Sequence, residues 1–366
     1  MDSARSPQHP GLDQLLQTMV DVEASDLHLV VGYRPTYRVH GRLRAAETVP
    51  LDDARARALI LSILPERLRG APDLPKNLDF SLTFDMHGTA HRFRANVFSA
   101  QGKPGLCLRH IPDQVPSLEW LGFPRSLADR RVATANGLIV ITGITGSGKS
   151  TTLAALVSLL NDAGGNRIIT VEEPIEYVYP LRADSVVTQR EVGTDVDSFY
   201  DGLKYGLRQD PDVVLVGEIR DRDTAQMALS AAETGHLILT TMHTKDAKGA
   251  VTRLIDLFPA DAQDDARTQL SLSLRYVISQ RLVPSTIEGQ KRALALEILV
   301  VNDGVRAAIR AGKVEKIDTA IQTGKRDGML SLDESLQNLL FAGRISLETA
   351  RHFAKDPDHM VAPNAR

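Results

Sequence analysis

The sequence contains a single cysteine, Cys107, among its 366 residues. One thiol cannot form a disulfide within the chain, and it cannot supply a metal site built from several cysteines. Sparse cysteine is also typical of proteins that work in a reducing compartment such as the cytosol. We therefore expect Cys107 to be a small, buried, apolar residue, and we expect neither a disulfide framework nor a multi-cysteine zinc site.

An excess of one charge and a long apolar run are also missing. The chain has 43 basic and 46 acidic residues, which gives a net charge of -3. Nucleic-acid-binding domains are usually basic, so we expect no nucleic acid partner, although a local basic patch stays open. The apolar runs are shorter than the ~18 residues that cross a bilayer, and the opening MDSARSPQHPG lacks the apolar core of a signal peptide. We expect a cytoplasmic protein without a membrane span, which another protein must hold if it works at a membrane.

The length and the residue patterns predict two domains. Residues 1–111 contain two amphipathic helices, LDQLLQTMVDVEA and DDARARALILSIL. They also contain five segments of alternating polarity: LHLVV, TYRVHGRLR, LDFSLTF, HRFRANVF and GLCLRHI. A period of two, together with a turn at His40-Gly41, indicates antiparallel strands. We predict an α+β domain here, without a catalytic motif of its own.

A different organisation follows the first domain. Residues 112–124, PDQVPSLEWLGFP, contain three prolines and predict a linker. Residues 125–284 contain the apolar runs GLIVIT, RIITVEE, DVVLVGE and HLILTTMH, which alternate with helical segments. This order is typical of an α/β fold with a parallel sheet buried on both faces. Residues 285–366 are predicted to be helical, with short helices at DGVRAAIRAG, KIDTAIQTG, SLDESLQNLLFAG and SLETARHFAK.

The segment GITGSGKS fits the phosphate-binding pattern G-x-x-x-x-G-K-[ST] in full. It follows the run GLIVIT and leads into the helix KSTTLAALVSLL, which is the context that the pattern requires. The amides and the helix N-terminus attract phosphate, Lys149 supplies charge to the β- and γ-phosphates, and Ser150 offers a hydroxyl to Mg²⁺. Thr151 is expected beside the α-phosphate. The residues that we expect to bind ATP are Gly143, Ile144, Thr145, Gly146, Ser147, Gly148, Lys149, Ser150 and Thr151.

Two acidic elements accompany this loop. DVVLVGEIRD places Glu218 at the carboxyl end of a strand, the edge that faces the ligand crevice in open α/β sheets. There Glu218 can reach Mg²⁺ through water, or it can be an ordinary solvated acid. TVEEPIEY brings Glu172, Glu173 and Glu176 together after another strand. Hydrolysis needs a group that orients or deprotonates water, and the pattern alone does not choose among these three carboxylates or exclude a solvated acidic loop.

GHLILTTMHT places His236 and His243 on either side of a strand. Their spacing does not match a usual zinc site. A histidine at the carboxyl end of a strand can contact the γ-phosphate, so His243 is a candidate sensor. A structural role is the alternative for either histidine.

In this order, the four elements resemble those of the secretion ATPases of type II secretion and type IV pilus systems. Within that group, the chain is similar to the type IV pilus retraction ATPases of the PilT and PilU kind. The similarity runs from about Leu12 to about Ala354. It includes the segments SDLHL, RFRAN, TGSGKSTTLAA, EEPIEY, TQREVG, GEIRD and AAETGHL. Several long motifs in one order are highly specific.

The resemblance implies a PAS-like N-terminal α+β domain followed by a RecA-like P-loop ATPase core with C-terminal helices. By position, Glu176 becomes the catalytic base, Glu218 the Mg²⁺ acid and His243 the γ-phosphate sensor, acting together with Lys149. Arg94 and Arg109 align with arginines that reach the nucleotide of a neighbouring subunit. We expect these residues to serve ATP and Mg²⁺ in a homohexameric ring.

The resemblance also implies a function, which is to power pilus retraction and twitching motility by ATP hydrolysis. The implied partners are an inner-membrane pilus platform protein and a second retraction ATPase, at the inner face of the cytoplasmic membrane. Two segments depart from the family pattern. The acidic box reads Glu172-Glu173-Pro174 where Glu-Asp-Pro is usual, and GVRAAIRA at 304–311 only approximates the segment AIRNLIRE that is tied to retraction.

Three alternatives stay open. One is an ATPase that assembles pili or drives type II secretion, although those usually have a further N-terminal domain and a four-cysteine zinc insert. Another is a nucleotide-binding regulator that hydrolyses slowly, which the intact set of Lys149, Glu176 and Glu218 argues against. The third is a nucleic-acid translocase, which the acidic balance disfavours.

Overall fold

The computed structural model describes residues 11–39, 41–68, 73–86, 88–111, 114–125, 127 and 136–362. The turn predicted at His40 and the first two residues of the predicted linker lie outside these ranges. The chain divides into two compact units, Met1–Gln114 and Val115–Arg366. Each unit is built around one sheet.

The first unit contains a six-stranded sheet in which every pairing is antiparallel. Its strands are β1 (Ala24–Val30), β2 (Thr36–Val39), β3 (Arg42–Ala45), β4 (Asn77–Met86), β5 (Thr89–Ala100) and β6 (Lys103–Ile111). They lie in the order β3-β2-β1-β6-β5-β4. Helices α1 (Leu12–Asp21) and α2 (Asp53–Ile63) accompany them. The strands and helices predicted for this region are present.

The two faces of this sheet differ because side chains alternate along a strand. One face packs apolar residues such as Leu27, Phe93 and Leu108 against both helices. The alternate positions of β1, β6 and β5 include polar side chains, among them Arg109 and Arg94. The pairing of the strands therefore places both arginines on one polar face.

The second unit contains a seven-stranded sheet in the order β13-β12-β7-β11-β10-β8-β9. Its strands are β7 (Gly137–Thr142), β8 (Arg167–Glu172), β9 (Val186–Glu191), β10 (Val213–Val216), β11 (Leu237–Met242), β12 (Leu274–Pro284) and β13 (Arg292–Val300). All neighbours are parallel except β12 and β13. The carboxyl ends of β7, β8, β10 and β11 thus meet at one edge, which is where the predicted site elements begin.

Helices cover both faces of this sheet. They are α3 (Leu118–Leu121), α4 (Lys149–Ala163), α5 (Phe199–Gly206), α6 (Arg222–Glu233), α7 (Ala247–Asp256), α8 (Gln263–Ser273), α9 (Asp303–Arg310), α10 (Lys316–Thr323), α11 (Leu332–Phe341) and α12 (Leu347–Phe353). Alternate residues of β7 enter opposite cores, with Leu138 in one and Ile139 in the other. None of the helices in the described ranges could cross a membrane.

The prediction that residues 285–366 are helical is wrong for Arg292–Val300, which forms strand β13. A short apolar run such as RALALEILV has no periodicity that separates a buried strand from a buried helix. It becomes a strand because it pairs along its whole length with β12, which was also not predicted. The four helices predicted after it are present as α9 to α12.

The predicted linker is partly ordered. Ser117 accepts a hydrogen bond from the amide of Trp120 and caps the one-turn helix α3. Leu118 and Phe123 are buried in a core of the second unit. The latter half of 112–124 therefore packs as part of that unit.

Candidate active site

The loop between β7 and α4 has a backbone that glycine alone can adopt without strain. Gly143 has φ +151°, and a Cβ there would lie 2.4 Å from the carbonyl oxygen of Gln280 and 2.6 Å from Oγ of Ser147. Gly146 and Gly148 also have positive φ angles, and Gly148 immediately precedes α4. A side chain at Gly143 would displace strand β12, so the loop depends on glycine for close approach as well as for conformation.

Two contacts fix the loop from inside. Gln280, fully buried on β12, donates from Nε2 to the carbonyl oxygen of Ser147 at 2.7 Å. Lys149 Nζ donates to the carbonyl oxygens of Gly143 at 2.9 Å and Ile144 at 3.3 Å, so its ammonium lies within the turn. Burial lowers the pKa of Lys149, whereas the charges of Glu218 and Glu176 act to raise it. The folded chain therefore brings both predicted carboxylates close enough to act on this ammonium.

Glu218 follows β10 and is held by Arg220. The guanidinium approaches both carboxylate oxygens, with Nε 2.6 Å from Oε2 and Nη2 2.6 Å from Oε1. The Glu218 side chain is 16% exposed, and Nε2 of His243 lies 3.7 Å from Oε2. Glu218 is thus a largely buried acid in contact with two other polar groups, and it is not a solvated strand end.

His243 lies just beyond β11, at the edge of the sheet where the phosphate loop begins. Burial and the nearby charges of Lys149 and Arg220 lower the pKa of His243, and Glu218 opposes them. On balance these surroundings favour the neutral imidazole. The other histidine, His236, precedes β11, and its Nδ1 lies 3.1 Å from the carbonyl oxygen of Ala231.

A threonine pair connects the segment of His243 to the phosphate loop. Thr142 ends β7, and its Oγ1 lies 2.7 Å from Oγ1 of Thr244 and accepts from the Thr244 amide at 3.0 Å. Thr142 immediately precedes the loop, and Thr244 immediately follows His243. If either segment moves, the hydrogen bonds between Thr142 and Thr244 must break or the other segment must move with it.

The three carboxylates of TVEEPIEY have different surroundings. Glu172 ends β8 and accepts from Thr170 Oγ1 at 2.6 Å and Gln189 Nε2 at 3.1 Å, and burial raises its pKa. Glu173 lies 3.4 Å from Nη1 of Arg220. Glu176 is half-buried and acts on Lys149.

The start of α4 presents two hydroxyl groups. Thr151 Oγ1 accepts from the Tyr177 hydroxyl at 3.2 Å, which ties the acidic box to the helix. Ser150 is exposed beside it. A serine hydroxyl and the Glu218 carboxylate are oxygen ligands of the kind Mg²⁺ takes, and Mg²⁺ usually needs few protein ligands because phosphates and water supply the others. The donor set fits Mg²⁺.

Arg94 and Arg109 belong to the first unit, where they pair directly across β5 and β6. Nε of Arg94 lies 3.4 Å from Asp79, and Nε of Arg109 lies 2.8 Å from Asp26. Both guanidinium groups are therefore anchored by carboxylates of their own sheet.

The sequence and the fold were compared with known families. The family described as "Type II/IV secretion system protein" matches residues 2–315. This chain belongs to that family. One similar protein is the type IV pilus retraction ATPase PilT of Pseudomonas aeruginosa, which is 41% identical to this chain over 349 residues. The aligned residues cover 95% of this chain and 99% of the relative. A twitching motility protein of Neisseria gonorrhoeae is 40% identical, over 89% of this chain and 86% of the relative.

A solved structure has a similar fold. It is described as the pilus retraction motor PilT with bound ADP, and it superposes with a TM-score of 0.85 at 37% identity, covering 96% of this chain and 98% of the other. The match to the secretion-protein family spans the phosphate loop, the acidic box, the strand-end glutamate and the histidine segment, all of which lie within residues 2–315.

Sequence reasoning missed three polar contacts in this secretion-family site. Arg220 follows Glu218 by two residues and could have been noticed as its counter-ion. Gln280 is a polar residue within the apolar run LRYVISQRLV, and a buried amide of this kind needs a partner. The pairing of Thr142 with Thr244 had no sequence signal, since 102 residues separate them.

Proposed function

We propose that this chain is an ATPase motor that powers type IV pilus retraction. The observation that carries the proposal is the convergence of Glu176, Glu218 and His243 on Lys149 of a complete phosphate loop. Hydrolysis, unlike binding alone, needs a carboxylate such as Glu176 that can act on the attacking water. The similarity in sequence and fold to the retraction motor PilT supports a motor of that kind.

The loop amides and Lys149 would hold the phosphates, and Ser150 and Glu218 would hold Mg²⁺. When bound, Mg²⁺ supplies positive charge that offsets the charge of the transferring phosphoryl group. Glu176 is the residue that would take the proton of the attacking water. Glu172 is less suited to this role because Thr170 and Gln189 already hydrogen-bond its carboxylate.

His243 would report the state of the γ-phosphate. A neutral imidazole can accept or donate a single hydrogen bond there without adding a charge. The Thr142–Thr244 pair joins its segment to the phosphate loop, so a shift at the γ-phosphate reaches both. Arg94 and Arg109 would act from a neighbouring subunit, where arginine stabilises the charge that develops during transfer.

The finer architecture is part of the same proposal. The first unit would be a PAS-like domain, and residues 125–284 would be the RecA-like core, followed by the C-terminal region at 285–366. The subunits would form a homohexamer bound to an inner-membrane pilus platform protein, with a second retraction ATPase as a further partner. This places the motor in the cytoplasm, at the inner face of the membrane.

Two measurements test the function. ATP turnover should be readily measured in the wild type and nearly lost in Lys149→Ala; a wild type that binds ATP without turnover would favour a regulator. Deletion in the host should leave cells with excess surface pili that do not move. Cells without pili would instead support the assembly or secretion ATPase, and salt-dependent DNA binding would support a translocase.

A further inference from the structure

Gln280 contacts both ends of the phosphate loop. Strand β12 runs parallel to β7, and Ser279 pairs with Thr142, the last residue before the loop. The following residue of each strand then lies at one level, which sets Gln280 beside Gly143. The carbonyl oxygen of Gln280 lies 2.4 Å from where a Cβ on Gly143 would be, and its side-chain Nε2 donates to the carbonyl oxygen of Ser147 at 2.7 Å. Gln280 thus fixes the start of the loop through its main chain and the end through its side chain.

The donor group is carried by a rigid part of the molecule. Gln280 is fully buried, and it also pairs with Leu296 on the antiparallel neighbour β13. A side chain that projects from a buried strand paired on both sides is held more precisely than one on a loop. The hydrogen bond from Gln280 therefore fixes the direction in which the carbonyl group of Ser147 points.

The direction of that carbonyl group sets the direction of the next amide. The peptide bond between Ser147 and Gly148 is trans, and a trans peptide points its C=O and its N–H in opposite directions. Because the carbonyl of Ser147 points at Gln280, the N–H of Gly148 points away from β12, just before α4 begins. The preceding amide is already used, since the N–H of Ser147 donates to the carbonyl oxygen of Ile144 at 3.1 Å.

We propose that Gln280 is a positioning residue for the nucleotide. It holds the peptide between Ser147 and Gly148 so that the Gly148 amide donates to the β-phosphate of ATP or ADP. An amide turned this way adds to the attraction of the α4 N-terminus for anions. Without the donor of Gln280, this peptide can rotate, and its carbonyl oxygen then competes with the amide for the side that faces the phosphate. The proposal rests on the proposed function, because it assumes that the loop binds a nucleotide.

The first test is Gln280→Met, which keeps the approximate shape of the side chain and removes the donor. The Kd for a fluorescent ADP analogue should rise by about tenfold, the scale of one lost hydrogen bond to a charged group. The KM for ATP should rise by a similar factor, whereas kcat at saturating ATP should change much less, because the β-phosphate is held equally in the ground state and the transition state. A wild-type Kd for the ADP analogue would overturn the proposal, whatever the value of kcat.

The matched control is Asn161→Leu, which separates positioning of the loop from a structural role. Asn161 is also a buried amide, and its Nδ2 donates to the carbonyl oxygen of Pro180 at 2.9 Å. In both amides the oxygen is buried without a hydrogen-bond partner among the residues that the structure describes. Asn161 lies near the other end of α4, roughly 18 Å along the helix axis from Lys149 at 1.5 Å per residue.

Both variants should lower the unfolding temperature, but Asn161→Leu should keep the wild-type Kd for the ADP analogue. An equal rise in Kd in the two variants would show that weaker binding follows from general destabilisation, and it would overturn the proposal. A lower unfolding temperature in Gln280→Met with an unchanged Kd would do the same, because the amide would then serve stability alone.

Two further variants decide the remaining outcomes. If Gln280→Met does not fold, Gln280→Asn keeps an amide but is one methylene too short for the contact with Ser147; it should raise the Kd in the same way, and a wild-type Kd there overturns the proposal. The variant Lys149→Ala tests the underlying function. Full ATP turnover in Lys149→Ala contradicts the proposed ATPase, whereas its inactivity beside a wild-type Kd in Gln280→Met contradicts only the role of Gln280.

Discussion

At the scale of single residues, the acidic box shows how neighbouring carboxylates acquire different properties. Glu172 and Glu176 are four positions apart, yet Glu172 is enclosed by hydrogen-bond donors and burial raises its pKa. Glu173 lies between them and contacts Arg220. Of the three, Glu176 is the carboxylate whose charge acts on Lys149, which supports the proposal that it works on a substrate held by the phosphate loop.

Glu176→Gln should bind ATP but turn it over at least ~100-fold more slowly, which is the usual scale for loss of a general base. Binding is measured with a fluorescent ATP analogue, and turnover by phosphate release. Glu173→Gln is the control from the same segment and should retain most of the activity. Near-normal turnover in Glu176→Gln would instead assign the role to Glu172 or Glu173.

Site residues that belong to a local motif or follow a parallel strand could be predicted, whereas contacts that depend on the order of the strands could not. The phosphate loop from Gly143 to Ser150 was identifiable because its spacing along the chain is itself the motif. Glu218 and His243 were identifiable because the carboxyl ends of parallel strands share an edge. Gln280 was not identifiable, because its contact with Ser147 depends on which strand lies next to β7. Local periodicity does not reveal the order of strands in a sheet.

At the scale of elements, strand β13 links the C-terminal helices to the segment that follows His243. Glu297 on β13 is buried, and it accepts from the amide of Ala247, the first residue of α7, at 2.9 Å. Its other oxygen accepts from Lys355 Nζ at 2.6 Å. Asp318 on α10 pairs with Lys248 of α7. Residues that follow position 290 therefore hold the start of α7 in place.

Lys355→Met should lower the free energy of unfolding by about 1–3 kcal/mol, because it leaves the buried carboxylate of Glu297 without its cationic partner. Lys325→Met is the matched control. Lys325 pairs with Glu334 at 2.8 Å, but both side chains are more exposed than Glu297, so the expected cost is about 0–1 kcal/mol. Urea unfolding of both variants checks the difference, and equal losses would show that burial of Glu297 is irrelevant.

The same elements explain why the prediction of the C-terminal region was incomplete. Helices α9 to α12 were identified from their amphipathic pattern, since each buries one stripe of residues. Strand β13 is buried on both faces and has no such stripe. It was recognisable only through its partner β12, and that strand was missed because it begins directly after α8 without a break.

At the scale of the whole molecule, the two units divide the proposed chemistry. The second unit contains the phosphate loop with its acids and histidine, and the first contains the arginines of the polar sheet face. This division fits the proposed assembly, in which the arginines of one subunit complete the nucleotide site of the next. Sequence similarity anticipated this division, whereas composition and periodicity indicated only two domains.

We expect the purified chain to form a homohexamer that nucleotide stabilises, because a nucleotide contacted by two subunits favours the assembled state by mass action. Light scattering should give the hexamer mass with a non-hydrolysable ATP analogue and Mg²⁺, and a smaller average mass without them. A monomer at every protein concentration in the presence of both would contradict the ring.

The contact between Gln280 and Ser147 also has a consequence for the order of synthesis. The loop and the amide that holds it are 133 residues apart in the chain. At roughly 5–20 residues per second, the ribosome releases the loop about 7–27 s before Gln280 emerges. During that interval the nascent chain carries GITGSGKS without the strand that supports it. A polypeptide interrupted before β12 would thus have the complete motif but not the site.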